Sequence, residues 1–457
     1  MKPRPIVAVL IGVMLVAAGV APANQLGHND DDHSDNFIQK ARVPIKIDKG
    51  VFAQGSDLAF KGNLLYAGSF EGLGIFKILR RKPFIKQIGF AQCPGGQGDV
   101  TVYGNYVFFS VDATLVGPKC TPEDTAAASP AAVAAAEHWE GLRIFDVSDP
   151  TRPRWVKSIL TDCGSHTNTL LPGDTKSYIY IESYPISGQN PNCNAETHRK
   201  FQIVEFPSND PTKAKLLEQT VDVTPAPGCH DITTFPDRNL MAGACINQSM
   251  IWNIENPVEP ELLATIENPD IQIHHSTAMT WDGNILVLGD EYSGATGVGG
   301  CNGDEESTVG AAWFYDVSDP ANPTLQGHHA LPRIPPPVDD PGEAQRFLCT
   351  NHNFNVIPVR SDKYLLTVSY YMGGIAVVDF SDPTDPTEIA HYLTRPGGVS
   401  QDTWSSYWYN GRIYTNDYRS RLGIAVYQFK GTTNQTQTRF FRGTMNPQVQ
   451  FDSNLRP

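Results

Sequence analysis

Short runs of alternating apolar and polar residues, separated by turn residues, recur along most of the chain. Three nearly identical segments show this most clearly: GLRIFDVSDPTRPRWV from Gly141, AAWFYDVSDPANPTLQ from Ala311 and GGIAVVDFSDPTDPTEIA from Gly373. The alternation predicts half-buried strands. The SDPxxP element predicts a turn between two strands, because Asp caps the backbone while Pro fixes φ and cannot donate to a ladder.

Further copies of this strand–turn–strand unit bring the total to seven. Met250 opens a fourth copy and Lys200 a looser fifth, and the copies from Gly72 and Leu422 keep the strand but lose the turn. A second unit precedes each copy, as in SDLAFKGNLLYAG from Ser56. It consists of two strands joined by a Gly, Asp or Asn turn, which is hairpin chemistry. Seven repeats of four strands predict an all-β fold, a seven-bladed β-propeller.

The two ends of the repeat array must meet for the ring to close. The seventh copy ends near Lys430 without an outer fourth strand, and KARVPIKID at 40–48 is expected to supply it. The propeller is therefore expected to span residues 40–430. A disordered acidic leader is expected at 24–39 and a polar C-terminal tail at 431–457.

The first residues have the pattern of a secretory signal peptide. Lys2 and Arg4 precede an apolar run, and Ala21 and Ala23 stand at the small-residue cleavage positions. Cleavage after Ala23 predicts a secreted, periplasmic or extracellular protein, and an uncleaved membrane anchor is the alternative. No later segment approaches the roughly 18 apolar residues of a membrane span, so none is expected in the mature chain.

Composition narrows the class of partner. The formal net charge is −14 and the pI is about 5.3. This acidity argues against nucleic acid or an anionic membrane as the main partner. An as yet unknown protein or small-molecule ligand is expected instead, and the chain is expected to be a monomer.

Eight cysteines follow the predicted signal peptide, and an even number in an exported chain favours disulfides. Three precede innermost strands and three lie in the insertion of the preceding blade, so that each pair would pin one insertion. The inferred pairs are Cys120–Cys163, Cys193–Cys229 and Cys301–Cys349. Cys93 and Cys245 are left without an assigned partner.

The repeat itself resembles a known family. GLRIFDVSDPTRP, preceded by HDI or by GDVTVYGNYVFF, is similar to the LVIVD-repeat family of exported β-propellers, over about residues 50 to 430. This resemblance implies the fold and says little about activity. A more distant resemblance, to selenium-binding-protein-like propellers, implies metal-dependent thiol oxidation but is carried only by propeller histidines.

Histidines recur where the innermost strands begin. Aligning that position through the seven repeats gives Ser56, Gly98, His166, His230, His275, His352 and Gln401, and the next position gives Asp57, Asp99, Thr167, Asp231, Ser276, Asn353 and Asp402. The register between repeats is uncertain by one residue, which would change the face of each side chain. In either register, four consecutive blades carry His at the mouth of the central channel.

Two interpretations of the histidines stay open. Neutral imidazoles suit Cu, Fe or Zn, and Asp57, Asp99, Asp231 and Asp402 would then hold ring N–H groups or serve as alternative ligands. Such a four-His centre resembles, in architecture alone, the iron site of carotenoid-cleaving oxygenases. Alternatively, His-Asp pairs satisfy backbone groups between blades and bind no metal. His274 adjoins His275 and could replace it.

Two functions follow from these alternatives. The first is an exported binding or interaction propeller with a His-lined metal or ligand site at the channel mouth. The second is a metal-dependent oxidoreductase, an oxidase or oxygenase, using His166, His230, His275 and His352. The sequence names no catalytic residue.

Overall fold

Seven antiparallel four-stranded sheets follow one another along the chain, each taking one repeat. The computed structural model describes residues 31–185, 193–208, 210–291, 303–304, 306–333, 349–361, 363–394, 401–432 and 444–449. The sheets are the blades of a β-propeller, numbered 1 to 7 in chain order, and the predicted fold is confirmed.

In each blade the strands run in order from the central axis outward. Blade 1 consists of Gly55–Lys61, Leu64–Ser69, Gly72–Ile78 and Ile85–Gln92. Blade 2 consists of Val100–Tyr103, Tyr106–Leu115, Trp139–Asp146 and Arg154–Leu160. Blade 3 consists of Thr167–Leu171, Lys176–Glu182, Lys200–Pro207 and Lys215–Asp222. Blade 4 consists of Asp231–Phe235, Leu240–Ala244, Ser249–Asn253 and Glu261–Ile266. Blade 5 consists of His274–Met279, Ile285–Asp290, Ala312–Asp316 and Thr324–His329. Blade 6 consists of Phe354–Ile357, Leu365–Ser369, Ile375–Asp379 and Thr387–Leu393. Blade 7 consists of Thr403–Tyr409, Arg412–Asp417, Ile424–Phe429 and Phe37–Val43.

Hydrophobic side chains fill the seams between neighbouring blades. The seam of blades 3 and 4, for example, packs Tyr180 and Phe201 against Met241 and Trp252, and each of the other six seams has its own cluster. Because every blade packs on two neighbours, its middle strands bury both faces. The third strand of blade 2, predicted to be half-buried, is therefore buried along almost all its length.

An N-terminal strand closes the ring, as predicted. Phe37–Val43 pairs antiparallel with Ile424–Phe429 and forms the outer strand of blade 7. The closing strand starts three residues before the predicted segment. The second half of that segment, Lys46–Asp48, instead pairs with Val51–Phe52 in a separate two-stranded sheet.

Both chain ends contribute more structure than the sequence indicated. Asp32–His33 adds a fifth strand to blade 6, so residues 31–39 do not form the disordered leader expected there. At the other end, Thr444–Met445 pairs with the inner strand of blade 1. The following residues cross the axis, where Asn446 bonds the backbone of Val102 and the Gln448 carbonyl accepts from the Thr234 amide.

Helix is scarce in the described part of the chain. One short α-helix, Pro130–Ala134, lies in the insertion of blade 2, where Ser129 caps its N-terminus. Three 3₁₀ helices span Pro211–Lys213, Pro236–Arg238 and Lys430–Thr432. Among these residues, no helix has the length and apolar character needed to cross a membrane.

Candidate metal centre

Hydroxyl groups fix the spacing between the innermost strands. Around the ring, Ser and Thr side chains of one inner strand donate to backbone carbonyls of the next. Three examples are Thr101 to the Asn168 carbonyl at 2.8 Å, Thr233 to that of Thr277 at 2.6 Å and Ser405 to that of Ser56 at 2.9 Å. The first residues of these strands are thereby held close together at the axis.

Four histidine rings from consecutive blades meet there. The ring centroids lie 4.4 Å apart for His166 and His230, 3.6 Å for His230 and His275, and 4.5 Å for His275 and His352. All four residues are buried. Each ring is therefore in contact with the ring of the next blade, and we call the four rings the imidazole layer.

Three of these rings have their Nδ1 atoms held by neighbouring groups. Asp112 Oδ2 lies 2.8 Å from Nδ1 of His166, and the Trp404 carbonyl lies 2.5 Å from Nδ1 of His352. Ser276 Oγ lies 2.5 Å from Nδ1 of His275 and itself donates to the His352 carbonyl, so it accepts from the ring. Acceptors at Nδ1 fix the tautomer that leaves the Nε2 lone pair free to bind a metal.

The Nε2 atoms converge on one another and on Glu291. Those of His166 and His230 are 2.8 Å apart. The carboxylate of Glu291 lies 3.4 Å from Nε2 of His275 and 3.9 Å from that of His352, and accepts from the Tyr371 hydroxyl at 2.5 Å. His230, His275 and Glu291 offer ligand atoms within 4.8 Å of one another, a group that could hold a metal ion.

Burial sets the protonation of the imidazole layer. It lowers the pKa of His230 and His275 well below the usual value, and the neighbouring imidazoles lower both further. Burial also lowers the pKa of His352, to about 3. These rings are therefore neutral near pH 7, which is the form that binds metals. Burial raises the pKa of Glu291 to about 7, although its hydrogen bond from Tyr371 opposes the rise.

The predicted aspartates divide into two groups. Asp57, Asp99 and Asp231 lie buried on the axis next to the imidazole layer, and we call them the carboxyl layer. A cavity of about 10 Å³ is bounded by Asp57 and Asp99 together with His166, His230 and His352. Asp402 instead lies beside Arg419, at 3.7 Å.

Other predicted features are corrected by the structure. His274, considered as a substitute for His275, points instead to Ser249, whose hydroxyl lies 2.7 Å from its Nδ1. His198 and His329, which lie outside the imidazole layer, are buried as well.

The cysteines form disulfides in a different pattern from the one predicted. The bonds are Cys93–Cys120, Cys163–Cys193 and Cys229–Cys245, so the inferred pairs 120–163 and 193–229 are wrong. The start of an inner strand and the end of its antiparallel neighbour lie at the same edge of one blade. Cys93–Cys120 and Cys163–Cys193 therefore close insertions onto their own blades, and Cys229–Cys245 joins the two ends of one hairpin. Cys349 is disulfide-bonded, but Cys301 lies outside the described residues.

Sequence reasoning missed the groups that surround the histidines. Asp112, Tyr184, Glu291 and Tyr371 all lie near or just beyond the end of a second strand, which is antiparallel to the inner strand and reaches the same mouth. An alignment of those positions shows ESYP, DEYS and SYYM in blades 3, 5 and 6. The recurrent Tyr, accompanied by an acidic residue in blades 3 and 5, was a signal that aligning the inner strands alone overlooked.

Comparisons with known proteins agree with this architecture. Residues 135–161 and 367–394 match the family model described as LVIVD repeat, and they cover outer strands of blades 2 and 6. The chain is a β-propeller, and two of its blades match the LVIVD repeat. No curated protein matches the sequence significantly.

Solved structures share the fold at low sequence identity. Hydrazine synthase of Kuenenia stuttgartiensis aligns with a TM-score of 0.51 and 9% identity, over 83% of this chain and 97% of that one. A functionally unknown protein from Desulfotomaculum acetoxidans DSM 771 has a TM-score of 0.48 and 11% identity, over 76% and 87%. The periplasmic gluconolactonase PpgL of Pseudomonas aeruginosa has 0.48 and 11%, over 74% and 85%. Such identities concern the fold alone.

The disulfides and the LVIVD-repeat propeller favour an extracellular or periplasmic protein. The predicted signal peptide at residues 1–23 lies outside the described residues.

Proposed function

We propose that this β-propeller is a binding protein that holds one transition-metal ion, Cu, Fe or Zn, in its imidazole layer. His166, His230, His275 and His352 would be the ligands, with Glu291 as a further carboxylate. The observation that carries the proposal is the contact of four buried imidazoles from four consecutive blades, two of which, those of His230 and His275, offer ligand atoms together with Glu291.

The donor set fits such an ion. Among the described residues, Nε2 of His275 and Nδ1 of His230 are buried without a hydrogen-bond partner, which is costly unless something else satisfies them. The 2.8 Å between Nε2 of His166 and of His230 is close to the ~2.9 Å expected for two ligands at right angles on a metal about 2.05 Å away. A bound ion would supply Lewis-acid or electron-transfer chemistry.

The chain's own residues hold the ligands in place. The Asp112 carboxylate, the Ser276 hydroxyl and the Trp404 carbonyl each fix one ring through Nδ1. Tyr371 orients Glu291 through its hydroxyl. Such partners behind the ligands commonly set metal affinity.

A surface for a partner or ligand lies beside one of the disulfides. A cavity of about 280 Å³ next to the disulfide-bonded Cys163 is lined by His138, Glu140, His198 and Lys200 among others. Its size and mixed polar lining suit a small polar molecule or a peptide side chain. This supports the binding role, with the disulfide-closed insertions as the recognition face.

A metal-dependent oxidase or oxygenase is the second candidate. The observation that favours it is a wall of oxidisable rings around the imidazole layer. Tyr371 and Trp404 lie 4.3 and 4.7 Å from the ring of His352, and Tyr184 lies 5.2 Å from that of His166.

The metal proposal is tested by elemental analysis of the protein purified from its native exported fraction. We expect about one transition-metal ion per chain, and at least a tenfold lower content in His230→Ala and His352→Ala. His274→Gln is the matched control, because His274 is buried in the same strand as His275 but contacts Ser249. A wild-type protein without stoichiometric metal, after growth with Cu, Fe and Zn, would contradict the proposal.

The same variants separate the two functions. Metal-loaded wild-type protein is mixed with ascorbate and air, and dioxygen consumption is followed with an electrode. Consumption that His230→Ala abolishes while the circular dichroism spectrum is unchanged would favour the oxidoreductase. Stoichiometric metal without such consumption leaves the binding role as the better account.

A further inference from the structure

One turn of the propeller breaks the charge pattern of the repeat. Between the third and fourth strands, blades 2, 5 and 6 carry the acidic SDPxxP sequence, whereas blade 1 has LRRKPF at 79–84. We call residues 77–86 the basic turn, because half of them are basic and none is acidic. The basic residues are Lys77, Arg80, Arg81, Lys82 and Lys86, and all are exposed. A positive surface therefore lies on a chain whose formal net charge is −14.

The charges of the basic turn do not stabilise the blade. Lys77 and Lys86 are direct partners in the antiparallel pairing of the two strands. Like charges directly opposite each other destabilise a sheet. Within the described part of the chain these side chains form no ion pair, whereas in the turn of blade 2 Arg154 pairs with Asp146 at 2.6 Å. Because sequences break such local rules mainly at functional sites, the basic turn indicates a role other than folding.

The backbone of the basic turn is held in place from two sides. Within the turn, the Phe84 amide donates to the Arg81 carbonyl at 2.9 Å, and the Leu79 amide donates to the Phe84 carbonyl at 2.7 Å. Arg412 of blade 7 donates to the carbonyls of Leu79 and Arg80, at 2.7 and 3.1 Å. Its guanidinium also lies 4.8 Å from the centre of the Phe84 ring. This ordering before binding reduces the entropic cost of binding a partner.

The two-stranded sheet near the N-terminus extends the positive surface. Gln87, next to Lys86, donates through Nε2 to the Lys46 carbonyl and accepts through Oε1 from the Lys46 amide, both at 2.8 Å. Lys46 and Lys49 are exposed there, beside one exposed acid, Asp48. Two further basic side chains thus lie next to the basic turn.

The layout of these charges favours an extended partner over a single ion. The basic side chains are spread along a strand end, a turn and a neighbouring hairpin, so they do not converge on a pocket. Several exposed ion pairs, each contributing only about 0.2–1 kcal/mol, would have to act together. A chain that carries many negative groups can make them simultaneously.

The surroundings favour a narrow partner over a flat one. The corresponding turns of the other blades lie on the same face and carry acids such as Asp149 and Asp319. An anionic membrane attracts Lys and Arg, but lying across this face it would also meet those acids. A polypeptide can contact blade 1 alone. At physiological ionic strength the screening length is about 8 Å, so a segment bound there responds mainly to the nearby basic side chains.

We propose that the basic turn, together with Lys46 and Lys49, binds an acidic segment of a partner protein through its Asp and Glu side chains. The inner strands begin at the imidazole layer and successive strands are antiparallel, so this surface lies at the opposite end of the blade. The proposal is therefore independent of any metal in the imidazole layer.

The test is fluorescence anisotropy of a fluorescein-labelled polyglutamate peptide titrated with the full chain. We expect saturable binding that weakens as NaCl is raised from about 0.1 to about 0.5 M, because salt screens exposed ion pairs. Arg80→Ser/Arg81→Ser/Lys82→Ser should bind the peptide at least tenfold more weakly.

The control is Arg152→Ser/Arg154→Ser/Lys157→Ser, which changes the net charge equally at the corresponding turn and fourth strand of blade 2. It should bind the peptide like the wild type, because Arg152 and Arg154 are already paired with Asp149 and Asp146. Equal weakening in the two triple variants would show that only net charge matters and would overturn the proposal.

A second variant separates binding from folding. Lys77→Ser/Lys86→Ser removes two directly opposed like charges, so its melting temperature by circular dichroism should be no lower than that of the wild type. It should nevertheless bind the peptide several-fold more weakly. Wild-type protein that does not bind the peptide would overturn the proposal. Sedimentation with phosphatidylglycerol vesicles but no peptide binding would identify a membrane as the partner instead.

Discussion

The imidazole layer and the carboxyl layer occupy neighbouring levels of one axis, yet they are built in opposite ways. The imidazole layer draws on blades 3 to 6, and three of its rings are oriented by a carboxylate, a hydroxyl and a carbonyl. The carboxyl layer draws on blades 1, 2 and 4, whose acids repel one another. Repeats of similar sequence thus place soft nitrogen donors on one level and hard oxygen donors on the next.

The two layers also differ in the bonds that hold the neighbouring chain segments in place. Disulfides join the insertions of blades 2 and 3, and the end of the second strand of blade 4, to the starts of the inner strands of those blades. Cys229 directly precedes His230. The carboxyl layer is closed by the C-terminal segment, through hydrogen bonds such as those of Asn446 with Val102. Two of the disulfides, those of Cys163 and Cys229, therefore lie just before strands that carry an imidazole, whereas the contacts of the C-terminal segment are noncovalent.

The largest effect should follow from removing the disulfide beside His230. Cys229→Ser/Cys245→Ser opens a loop of 16 residues, which should lower the free energy of unfolding by about 3 kcal/mol. The freed loop should also lower transition-metal content. Urea denaturation and elemental analysis measure the two effects.

Cys93→Ser/Cys120→Ser is the control, because it opens a loop of 27 residues in blade 2, which contributes none of the four imidazoles. It should lose similar stability and keep its metal. Equal metal loss in both double variants would show that the imidazole layer is not specifically held by the Cys229–Cys245 bond.

A smaller effect should come from Asp112→Asn. The amide keeps the size of the carboxylate and an oxygen that can accept from the Gln97 amide. It lacks the charge that holds His166 through Nδ1. Loss of such a partner typically weakens metal binding by about 10- to 100-fold. Competition with a chromogenic chelator measures this affinity, and Asp402→Asn should match the wild type. Unchanged affinity in Asp112→Asn would argue against His166 as a ligand.

The smallest effect concerns how the free energy of unfolding depends on pH. As pH rises, a buried acid beside the carboxyl layer should lower this free energy, whereas a buried imidazole should raise it. Glu182 is buried beside Asp231, and burial followed by the charge of Asp231 raises its pKa well above the usual value. Its contribution to stability is therefore fully present below its unfolded pKa of about 4.3 and is lost as pH rises through the folded pKa. Burial lowers the pKa of His352 to about 3, so its contribution is present above about pH 6.5 and is lost as pH falls.

Glu182→Gln removes the titratable carboxyl group and leaves the buried imidazoles unchanged. In EDTA, the variant should gain stability over the wild type by on the order of 1 kcal/mol as pH rises from 5 to 8. Thr167, which donates to Glu182 Oε2 at 2.9 Å, can still donate to the amide oxygen. Below pH 5 both proteins should lose stability together as buried imidazoles become charged. Urea denaturation curves that stay parallel across the whole pH range would contradict this account.

The sequence by itself determined the repeat, and with it the fold. Strand alternation, the SDPxxP turns and the count of seven units specify four-stranded blades, and a radial array is the arrangement that buries both faces of each blade. The repeat also placed His166, His230, His275 and His352 at equivalent positions, because equivalent residues of a propeller lie at one level of the axis.

Only the tertiary structure decided which way those residues point and what joins them. A shift of one residue reverses the face of a strand side chain, so His274 and His275 were indistinguishable until their strand was placed. The disulfides depended on which blade edge each insertion meets. Glu291, Asp112 and Gln448 reach the axis from a loop, a second strand and the C-terminal segment, positions separated along the chain that only the closed ring brings together.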